Sequence, residues 1–313
     1  MKCLVTGATG FIGRELCHAL VQRGDAVVAL SRRGESLPEI GQTLAHDLAE
    51  NPLPAHLFDG IDTVFHLAGV AHQRAPAEAY EQINVQATKQ LAKQAASAGV
   101  RCFVYLSSVK AMGAALNDDV RDESDQQPAA DEYGRSKAGA ENALRGAIVE
   151  SAMSTIILRP ALVFGPGAKG NLHLLERVAR SALPRPPQAG RRSMLVMGDL
   201  VELMLLLADN PPEGCHTWIA CHEEACSARD IYDAMRVAAG KSPGKSWLPD
   251  WCWYSLLAAL DGITGRAGNG LRQRLFDDER YTSAALSAAT GWRAKTPPLQ
   301  AISGTILPSE APP

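Results

Sequence analysis

The sequence lacks several features that define whole classes of proteins. No run of apolar residues approaches the ~18 that a membrane-spanning helix requires, so membrane insertion is not expected. Neither charge sign dominates, since 31 Lys and Arg residues stand against 34 Asp and Glu residues and the formal net charge is −3. Without a global basic field, we expect no nucleic-acid partner. Aromatic residues make up only 5%, but hydrophobic residues at 46% and charged residues at 21% are close to average globular usage. This composition disfavours disordered, collagen-like and coiled-coil classes.

Cysteine is too sparse for a disulfide-stabilised protein. Seven cysteines are scattered over 313 residues, and an odd number in so long a chain argues against a disulfide framework. We therefore expect reduced thiols and a cytoplasmic location. Glycines within the first fifteen residues also interrupt the apolar run that a signal peptide needs. The Cys and His residues between 215 and 226 lack the paired spacing of zinc sites, and we expect no metal.

The chain does contain a regular alternation of strand-like and helix-like segments. Strands are predicted at 2–6, 26–30, 63–67, 102–106, 154–158 and 216–220, and helices at 11–22, 77–98 and 133–151. This order predicts an α/β fold, a Rossmann-type doubly wound parallel sheet. Proline and glycine crowd together after Gly165. We expect one domain over 1–165, with a returning segment near 194–222, and a smaller C-terminal domain made of 166–193 and 223–313.

A glycine-rich turn joins the first strand to the first helix. In Gly7-Ala-Thr-Gly10-Phe-Ile-Gly13, Gly7 allows a tight turn, Gly10 lets the backbone approach a pyrophosphate, and Gly13 permits close packing of helix on strand. The helix N-terminus adds free N–H groups and partial positive charge. The pattern indicates a dinucleotide site in the first domain. We expect the smaller C-terminal domain to bind the substrate. The alternative is a tight connection that binds no ligand.

The end of the second strand carries information about the cofactor. A carboxylate there accepts the ribose hydroxyls of NAD, whereas an arginine attracts the extra phosphate of NADP. The sequence reads Leu30-Ser31-Arg32-Arg33, without an acid at this point, and guanidinium groups pair bidentately with phosphate. We therefore expect NADP(H) in preference to NAD(H). The alternative is that both arginines belong to a solvated turn.

Tyr133 and Lys137 are four residues apart in a predicted helix and project from one face of it. A phenol has a pKa of about 10, and a nearby ammonium favours its ionised form, so Tyr133 is a candidate acid–base catalyst. This spacing also occurs by chance in many helices. It gains weight from Ser107-Ser108, which ends a strand at the sheet edge where ligands bind. Ser108 is then placed to hydrogen-bond the substrate oxygen.

Together these residues resemble the extended short-chain dehydrogenase/reductase family, also called the NAD-dependent epimerase/dehydratase family of nucleotide-sugar enzymes. The resemblance covers nearly the whole chain and continues through the segments at 47–48, 66–69, 84–88, 158–160 and 163–167. It implies a catalytic triad of Ser108, Tyr133 and Lys137, with Lys137 also holding the nicotinamide ribose. The cofactor-binding residues that we expect are Gly7, Thr9, Gly10, Phe11, Ile12, Gly13, Ser31, Arg32, Arg33, Asp47, Leu48, Leu67, Ala68, Gly69, Asn84, Lys137 and Pro160.

Within that family, the chain looks like a bacterial subgroup that acts on nucleotide sugars in surface-polysaccharide synthesis. The subgroup likeness lies in the segments at 107–113, 167–171 and 191–193. We expect the substrate-binding residues to be Ser107, Lys110, Asn171, Arg191 and Arg192. Guanidinium groups suit a diphosphate, although a solvated basic loop is the alternative reading of the last three. Dehydratases of the family carry Asp-Glu after the catalytic hydroxyl, whereas Val109-Lys110 stand here, so dehydration is not expected.

The resulting expectation is an NADP(H)-dependent reductase of a nucleotide-linked 4-keto sugar. A nucleotide-sugar 4-epimerase with tightly bound NAD is the alternative, and a non-catalytic dinucleotide sensor that binds a protein partner is the alternative from another class. The family likeness also implies a homodimer formed through two long helices.

Overall fold

A seven-stranded parallel sheet forms the centre of the computed structural model, which describes residues 1–71, 75–129, 131–165, 179, 181, 184–263 and 270–305. The strands are β1 (Lys2–Thr6), β2 (Ala26–Ser31), β3 (Ser36–Leu37), β4 (Gly41–Gln42), β5 (Leu44–Ala45), β6 (Thr63–His66), β7 (Cys102–Leu106), β8 (Ser154–Pro160), β9 (Leu162–Phe164), β10 (Arg192–Val196), β11 (Cys215–Ala220) and β12 (Ala225–Cys226). The central sheet has the order β11-β8-β7-β6-β1-β2-β5. Each of its pairings is parallel.

The strand order reverses between β1 and β6. The chain runs outward from β1 to β2 on one side and then crosses to β6 on the other side of β1. In open parallel sheets, ligands bind in the crevice outside the carboxyl ends of the strands at such a switch point. The glycine turn after β1 and the loop after β6 therefore meet where a dinucleotide is expected.

Helices cover both faces of the sheet. They are α1 (Phe11–Gln22), α2 (Ala77–Tyr80), α3 (Ala87–Ser97), α4 (Glu132–Ala147), α5 (Met197–Asp209), α6 (Ala228–Ala238), α7 (Asp250–Ile263), α8 (Leu271–Phe276), α9 (Ala284–Thr290) and α10 (Pro298–Thr305). On one face Leu16 of α1 and Leu203 of α5 join the apolar core. On the other face Leu91 of α3 and Leu144 of α4 do so. The Rossmann-type fold predicted from the alternation of elements is confirmed.

The predicted helix over 77–98 is interrupted by one wider turn. Residues Glu81–Gln86 form a π-helical segment between α2 and α3. Single π-turns are uncommon in proteins, and those that do occur are often found at functional sites. The segment packs against α4, so it lies beside the helix that carries Tyr133.

A smaller sheet lies beyond residue 161. β9 pairs in parallel with β10, and β12 pairs antiparallel with β10. A third apolar cluster, which includes Met194 and Tyr232, packs beneath it. β11 rejoins the central sheet within the segment predicted to return, but the proposed division at residue 165 stays a prediction. Among the described residues, every helix is too short or too polar to cross a bilayer.

Candidate active site

The turn after β1 is built from close backbone contacts. Gly7 has φ +68°, and a Cβ on it would lie 2.7 Å from the backbone nitrogen of Ala68 in the loop after β6. A Cβ on Gly13 would lie 2.2 Å from the carbonyl oxygen of Gly7. Helix α1 starts after Gly10, and no side chain in the described part of the protein caps its first turn. The first N–H groups of α1 are therefore available to an anion, as a pyrophosphate requires.

Three other predicted residues surround this turn. Thr9, Phe11 and Ile12 are each partly exposed. The Thr9 carbonyl accepts a hydrogen bond from Arg14 Nε at 2.9 Å, and the ring of Phe11 lies near Gly165 at the end of β9. The start of α1 and the end of β9 thus lie side by side.

The loop after β6 is held in place by Asn84 from the π-helical segment. Asn84 Oδ1 accepts from Val70 N at 2.8 Å, while its Nδ2 donates to Val70 O at 3.1 Å and to Ser136 Oγ at 2.8 Å. A Cβ on Gly69 would lie 2.9 Å from Asn84 Oδ1 and 3.6 Å from Lys137 Nζ. Gly69 therefore leaves room beside Lys137, and Asn84 acts by holding the loop that contains Leu67, Ala68 and Gly69.

A fully buried histidine links the two loops. Thr88 Oγ1 donates to Asn84 O at 2.6 Å, so it accepts from Nε2–H of His66 at 2.8 Å. Thr6 Oγ1 accepts from Ala68 N at 3.2 Å and donates to Nδ1 of His66 at 2.7 Å. Burial lowers the pKa of His66 to about 3, and the charge of Lys137 adds to this effect. His66 is therefore neutral and serves as a rigid connector between β1, β6 and α3.

Tyr133 lies in the first turn of α4, which is capped by Asp131 accepting from Gly134 N at 2.7 Å. Burial raises the pKa of Tyr133 to about 12, although its hydrogen bond with Ser108 lowers the value in part. Ser108 Oγ also accepts from Lys110 N at 3.2 Å. The structure thus places the two predicted catalytic hydroxyls near each other, and the phenol is protonated at neutral pH.

Lys137, one turn further along α4, is buried. Its Nζ donates to Leu106 O at 2.8 Å and to the hydroxyl of Tyr105 at 3.2 Å, and it lies 4.7 Å from the centre of the Tyr105 ring. Burial lowers the pKa of Lys137 to about 8, with the charge of Glu141 acting in the opposite direction. The pKa of Tyr133 is nevertheless raised and not lowered, because burial of the phenol dominates; the effect predicted for Lys137 stays a prediction. Sequence reasoning also missed Tyr105, the second hydrogen-bond partner of Lys137.

Ser107 faces away from its neighbour Ser108. Its hydroxyl is buried and donates to Glu141 Oε1 at 2.6 Å. Arg159 donates two hydrogen bonds to the same carboxylate, from Nε to Oε1 at 2.9 Å and from Nη2 to Oε2 at 2.6 Å. This geometry corrects the prediction that the Ser107 side chain binds substrate, because the hydroxyl instead holds α4 against β7 and β8. Pro160, the last residue of β8, is buried directly beyond Arg159.

The far end of the crevice lies at the carboxyl end of β2. Ser31 is buried and its hydroxyl bonds Thr43 Oγ1 at 2.7 Å and the carboxylate of Glu35. Arg32 and Arg33 are exposed, and within the described ranges neither guanidinium makes a hydrogen bond or a salt bridge. The sequence suggested that no acid lies at the end of β2. This is wrong, because Glu35 folds back and its carboxylate bonds Ser31 in that strand. The Ser31 hydroxyl and backbone N–H groups lower the pKa of Glu35, so that carboxylate is already engaged.

The neighbouring strand places Asp47 and Leu48 at the same edge. β5 pairs with the end of β2. Asp47 and Leu48 follow the last residue of β5 by two and three positions. Asp47 Oδ1 accepts from Ala49 N at 2.9 Å, and Leu48 packs partly against the apolar core. This arrangement fits a surface against which an adenine ring can lie.

Lys110, two residues beyond Ser108, belongs to a cluster of three charged side chains. Lys110 Nζ donates to Glu279 Oε1 at 2.5 Å, and Arg192 Nη1 donates to Glu279 Oε2 at 3.3 Å. Arg192 Nη2 is buried and has no hydrogen-bond partner among the described residues. Arg191 instead lines a cavity of about 380 Å³ together with Arg280. Asn171 lies outside the described residues, and Glu279 gave no signal in the sequence.

Known proteins resemble this chain over most of its length. A family described as the NAD dependent epimerase/dehydratase family matches residues 3–219. The UDP-glucose 4-epimerase of Vibrio cholerae is 30% identical over 275 residues, covering 83% of this chain and 82% of that protein. A dTDP-6-deoxy-L-talose 4-dehydrogenase (NAD(P)(+)) of Kitasatospora kifunensis is 34% identical, covering 64% of each chain.

A similar architecture recurs in solved structures. MoeE5 in complex with UDP-glucuronic acid and NAD superimposes with a TM-score of 0.75 at 25% identity, covering 98% of both chains. MoeE5 in complex with UDP-glucose and NAD gives a TM-score of 0.74 at the same identity. The length of the family match and the extent of the similarity to the Vibrio cholerae protein lead to one conclusion. The chain belongs to the NAD-dependent epimerase/dehydratase family and is an NAD(P)-dependent enzyme of the extended short-chain dehydrogenase/reductase type.

Proposed function

We propose that the protein is an NADP(H)-dependent reductase of a nucleotide-linked 4-keto sugar, which supplies a precursor for surface polysaccharide. The observation that carries this proposal is that the Ser108 hydroxyl lies near a protonated Tyr133 at the carboxyl edge of the sheet. A ketone needs a proton donor as it is reduced. The phenol of Tyr133, whose pKa is raised to about 12, holds that proton at neutral pH.

The cofactor fits the residues that line the crevice. Backbone lies too close to Gly7 and Gly13 for any side chain, the first turn of α1 is uncapped by side chains of the described chain, and Gly69 leaves room beside Lys137. These residues would hold the pyrophosphate and the nicotinamide end. When bound, the dinucleotide supplies the hydride that reduces the carbonyl carbon.

The protein's own residues handle the oxygen. Ser108 donates a hydrogen bond to the carbonyl oxygen and fixes its position. Tyr133 transfers its phenolic proton to that oxygen as the C–H bond forms at the carbon, which gives a hydroxyl group. Lys137, held by Leu106 and Tyr105, lies one turn of α4 beyond Tyr133, where we expect it to hold the nicotinamide ribose. No carboxylate pair follows Ser108, so this relay supports reduction and not loss of water.

Preference for NADP(H) is proposed from Arg32 and Arg33. Both guanidinium groups are exposed at the end of β2, and Glu35 is engaged by Ser31 and by backbone N–H groups. An arginine at this position pairs with a 2′-phosphate. We expect the Arg32→Ala/Arg33→Ala variant to bind NADP⁺ at least about tenfold more weakly, with little change for NAD⁺. Equal losses for both cofactors would contradict this assignment.

A nucleotide-sugar 4-epimerase is the second candidate function. It is favoured by the likeness to the Vibrio cholerae UDP-glucose 4-epimerase and by NAD in the MoeE5 complexes. The same Ser108 and Tyr133 would then remove a proton from a C4 hydroxyl and later return it. NAD(H) retained through purification would support this function.

The two enzymes differ in whether cofactor is consumed. The experiment incubates the protein with NADPH and nucleotide-linked 4-keto sugars, and separately with UDP-glucose or UDP-galactose, while absorbance at 340 nm and sugar composition are followed. Stoichiometric loss of NADPH with the keto sugar is expected. Interconversion of the two hexoses without net absorbance change would replace the reductase by the epimerase. No turnover of either kind, with intact dinucleotide binding, would favour the sensor.

A further inference from the structure

One helix in the C-terminal part of the chain has an outer side without charge. In α7 (Asp250–Ile263) the charged residues are Asp250 and Asp261, and the ten residues between them are all uncharged. Seven of those ten are exposed, and only Leu257 among them is buried. Trp251 is 68% exposed, and Trp247, in the loop before the helix, is 67% exposed.

Helix α7 is attached to the protein by one side. The ring of Tyr254 meets that of Phe276 in α8 edge-on, with 4.9 Å between the ring centres. At 3.6 residues per turn, the exposed positions from Tyr254 through Trp251 to Leu260 cover about two-thirds of the circumference. The Ser255 hydroxyl within this arc donates to Trp251 O at 2.9 Å, so it is used inside the helix.

An apolar outer side is unusual for a helix at a protein surface. Such a helix normally turns a polar face to water, and one that is apolar all round is buried in protein or in a membrane. Exposed apolar patches mark sites that bind another protein or a membrane. The outer side of α7 therefore indicates a partner outside the chain.

The charges around this side are basic. Lys245 and Arg272 are exposed, and neither side chain makes a hydrogen bond or a salt bridge to a residue that the structure describes. The acidic residues of α7 are engaged, because Asp250 lies 3.9 Å from an arginine of α6 and Asp261 Oδ2 accepts from Arg272 N at 3.1 Å. Residues 240–275 contain five Lys and Arg against two Asp, whereas the whole chain has a net charge of −3. The basic excess is thus local.

Charge and side-chain chemistry favour a bilayer over a second copy of the chain. A symmetric contact brings the same patch of both subunits together, so the basic excess would face itself, which is unfavourable. Anionic phospholipid headgroups instead attract basic residues near the bilayer surface. Trp and Tyr rings suit the headgroup region, because one part is apolar and another forms hydrogen bonds. Trp247, Trp251 and Tyr254 provide three such rings.

We propose that α7, together with Trp247, docks the protein on the surface of an anionic phospholipid bilayer. At 1.5 Å per residue the uncharged stretch is about 15 Å long, half the thickness of a hydrocarbon core of about 30 Å. The helix therefore lies along the bilayer surface, with Lys245 and Arg272 close to the headgroups. This inference goes beyond the proposed function and does not depend on which substrate is reduced.

Flotation of the protein with vesicles tests this inference. Wild-type protein is mixed at low ionic strength with vesicles of phosphatidylcholine, either alone or with phosphatidylglycerol. We expect at least about tenfold stronger binding to the anionic vesicles, and salt should weaken it. Trp247→Ser/Trp251→Ser removes two exposed indoles and should lower that binding at least about tenfold. Val149→Ser removes an apolar side chain that is 80% exposed beyond the end of α4 and should leave it unchanged.

A second pair of variants tests the role of charge. Lys245→Gln/Arg272→Gln should lower binding to anionic vesicles at least about fivefold and change binding to neutral vesicles little. Lys89→Gln/Lys93→Gln removes the same charge from exposed positions on α3 and should change vesicle binding by no more than about twofold.

Several results would overturn the inference. One is absence of wild-type binding to anionic vesicles at low ionic strength, and another is unchanged binding by the folded Trp247→Ser/Trp251→Ser variant. Self-association that this variant abolishes, without vesicle binding, would show that a second copy covers α7. The substituted side chains are exposed, so the variants should keep the wild-type Tm. If one does not fold, the dependence of wild-type binding on phosphatidylglycerol and on salt still decides.

Discussion

Substitution of Glu141 by glutamine is expected to destabilise the protein strongly. The Glu141 carboxylate is 2% exposed and holds Arg159, which is 4% exposed, through two hydrogen bonds. The Glu141 carboxylate also accepts a hydrogen bond from the hydroxyl of Ser107. Glutamine has nearly the same shape but no charge. It would leave the Arg159 guanidinium buried without a counter-charge, and Arg159 Nη1 already has no partner within the described residues.

The size of the effect follows from the burial of the pair. Removing one partner of a buried ion pair costs about 3–5 kcal/mol of the free energy of unfolding. For a chain of this length, that corresponds to a decrease in Tm of roughly 6–10 °C. Glu132 in the same helix also pairs with an arginine, but both side chains are about half exposed. Glu132→Gln should therefore cost no more than ~1 kcal/mol.

Thermal unfolding of both variants tests this reasoning. Glu141 also raises the pKa of Lys137, so the alkaline limb of kcat/KM should move to lower pH in Glu141→Gln. A decrease in Tm no larger than that of Glu132→Gln would refute the argument that the buried pair fastens α4 to the sheet. An unchanged alkaline limb would refute the electrostatic link to Lys137.

Three further predictions concern the two loops of the crevice. Gly7→Ala places a Cβ against backbone at φ +68°, whereas Gly24→Ala at φ +82° meets no atom within 4 Å; calorimetry should show loss of cofactor binding for the first variant only. Burial lowers the pKa of His66 to about 3, below the ~6.5 of an unfolded histidine. The stability that neutral His66 contributes is complete above pH ~6.5 and is lost as the pH falls toward 3, so His66→Gln should flatten the Tm profile in that window. Tyr105→Phe removes an acceptor from Lys137 and should lower kcat/KM by roughly tenfold, with Tm as the control; an unchanged kcat/KM would show that the ammonium does not need that hydroxyl.

The sheet and the glycine turn were predictable because their signals are local. Apolar strands alternate with amphipathic helices, and the spacing of Gly7, Gly10 and Gly13 has meaning only between a strand and a helix. Ends of elements were less certain: β8 extends to Pro160, and α4 ends at Ala147 where the pattern suggested 151. The π-helical segment Glu81–Gln86 leaves no mark in the spacing of apolar residues from which a continuous helix was predicted.

Contacts between distant parts of the chain could not be predicted. Glu279 is 169 residues from Lys110, and no spacing rule connects them. Adjacent serines have opposite roles because Ser107 faces Glu141, whereas Ser108 faces Tyr133. The pKa of the phenol also depended on burial, which the four-residue spacing to Lys137 does not report.

The central claim is that Tyr133 donates the proton during reduction, and rapid-mixing kinetics of Tyr133→Phe test it most directly. The measurement follows the first turnover of NADPH with the keto sugar at 340 nm, together with the Kd for NADPH. We predict a rate about 10²–10⁴-fold lower than that of the wild-type protein, with the Kd nearly unchanged. A first turnover at the wild-type rate would contradict the account, because the proton would then come from another group.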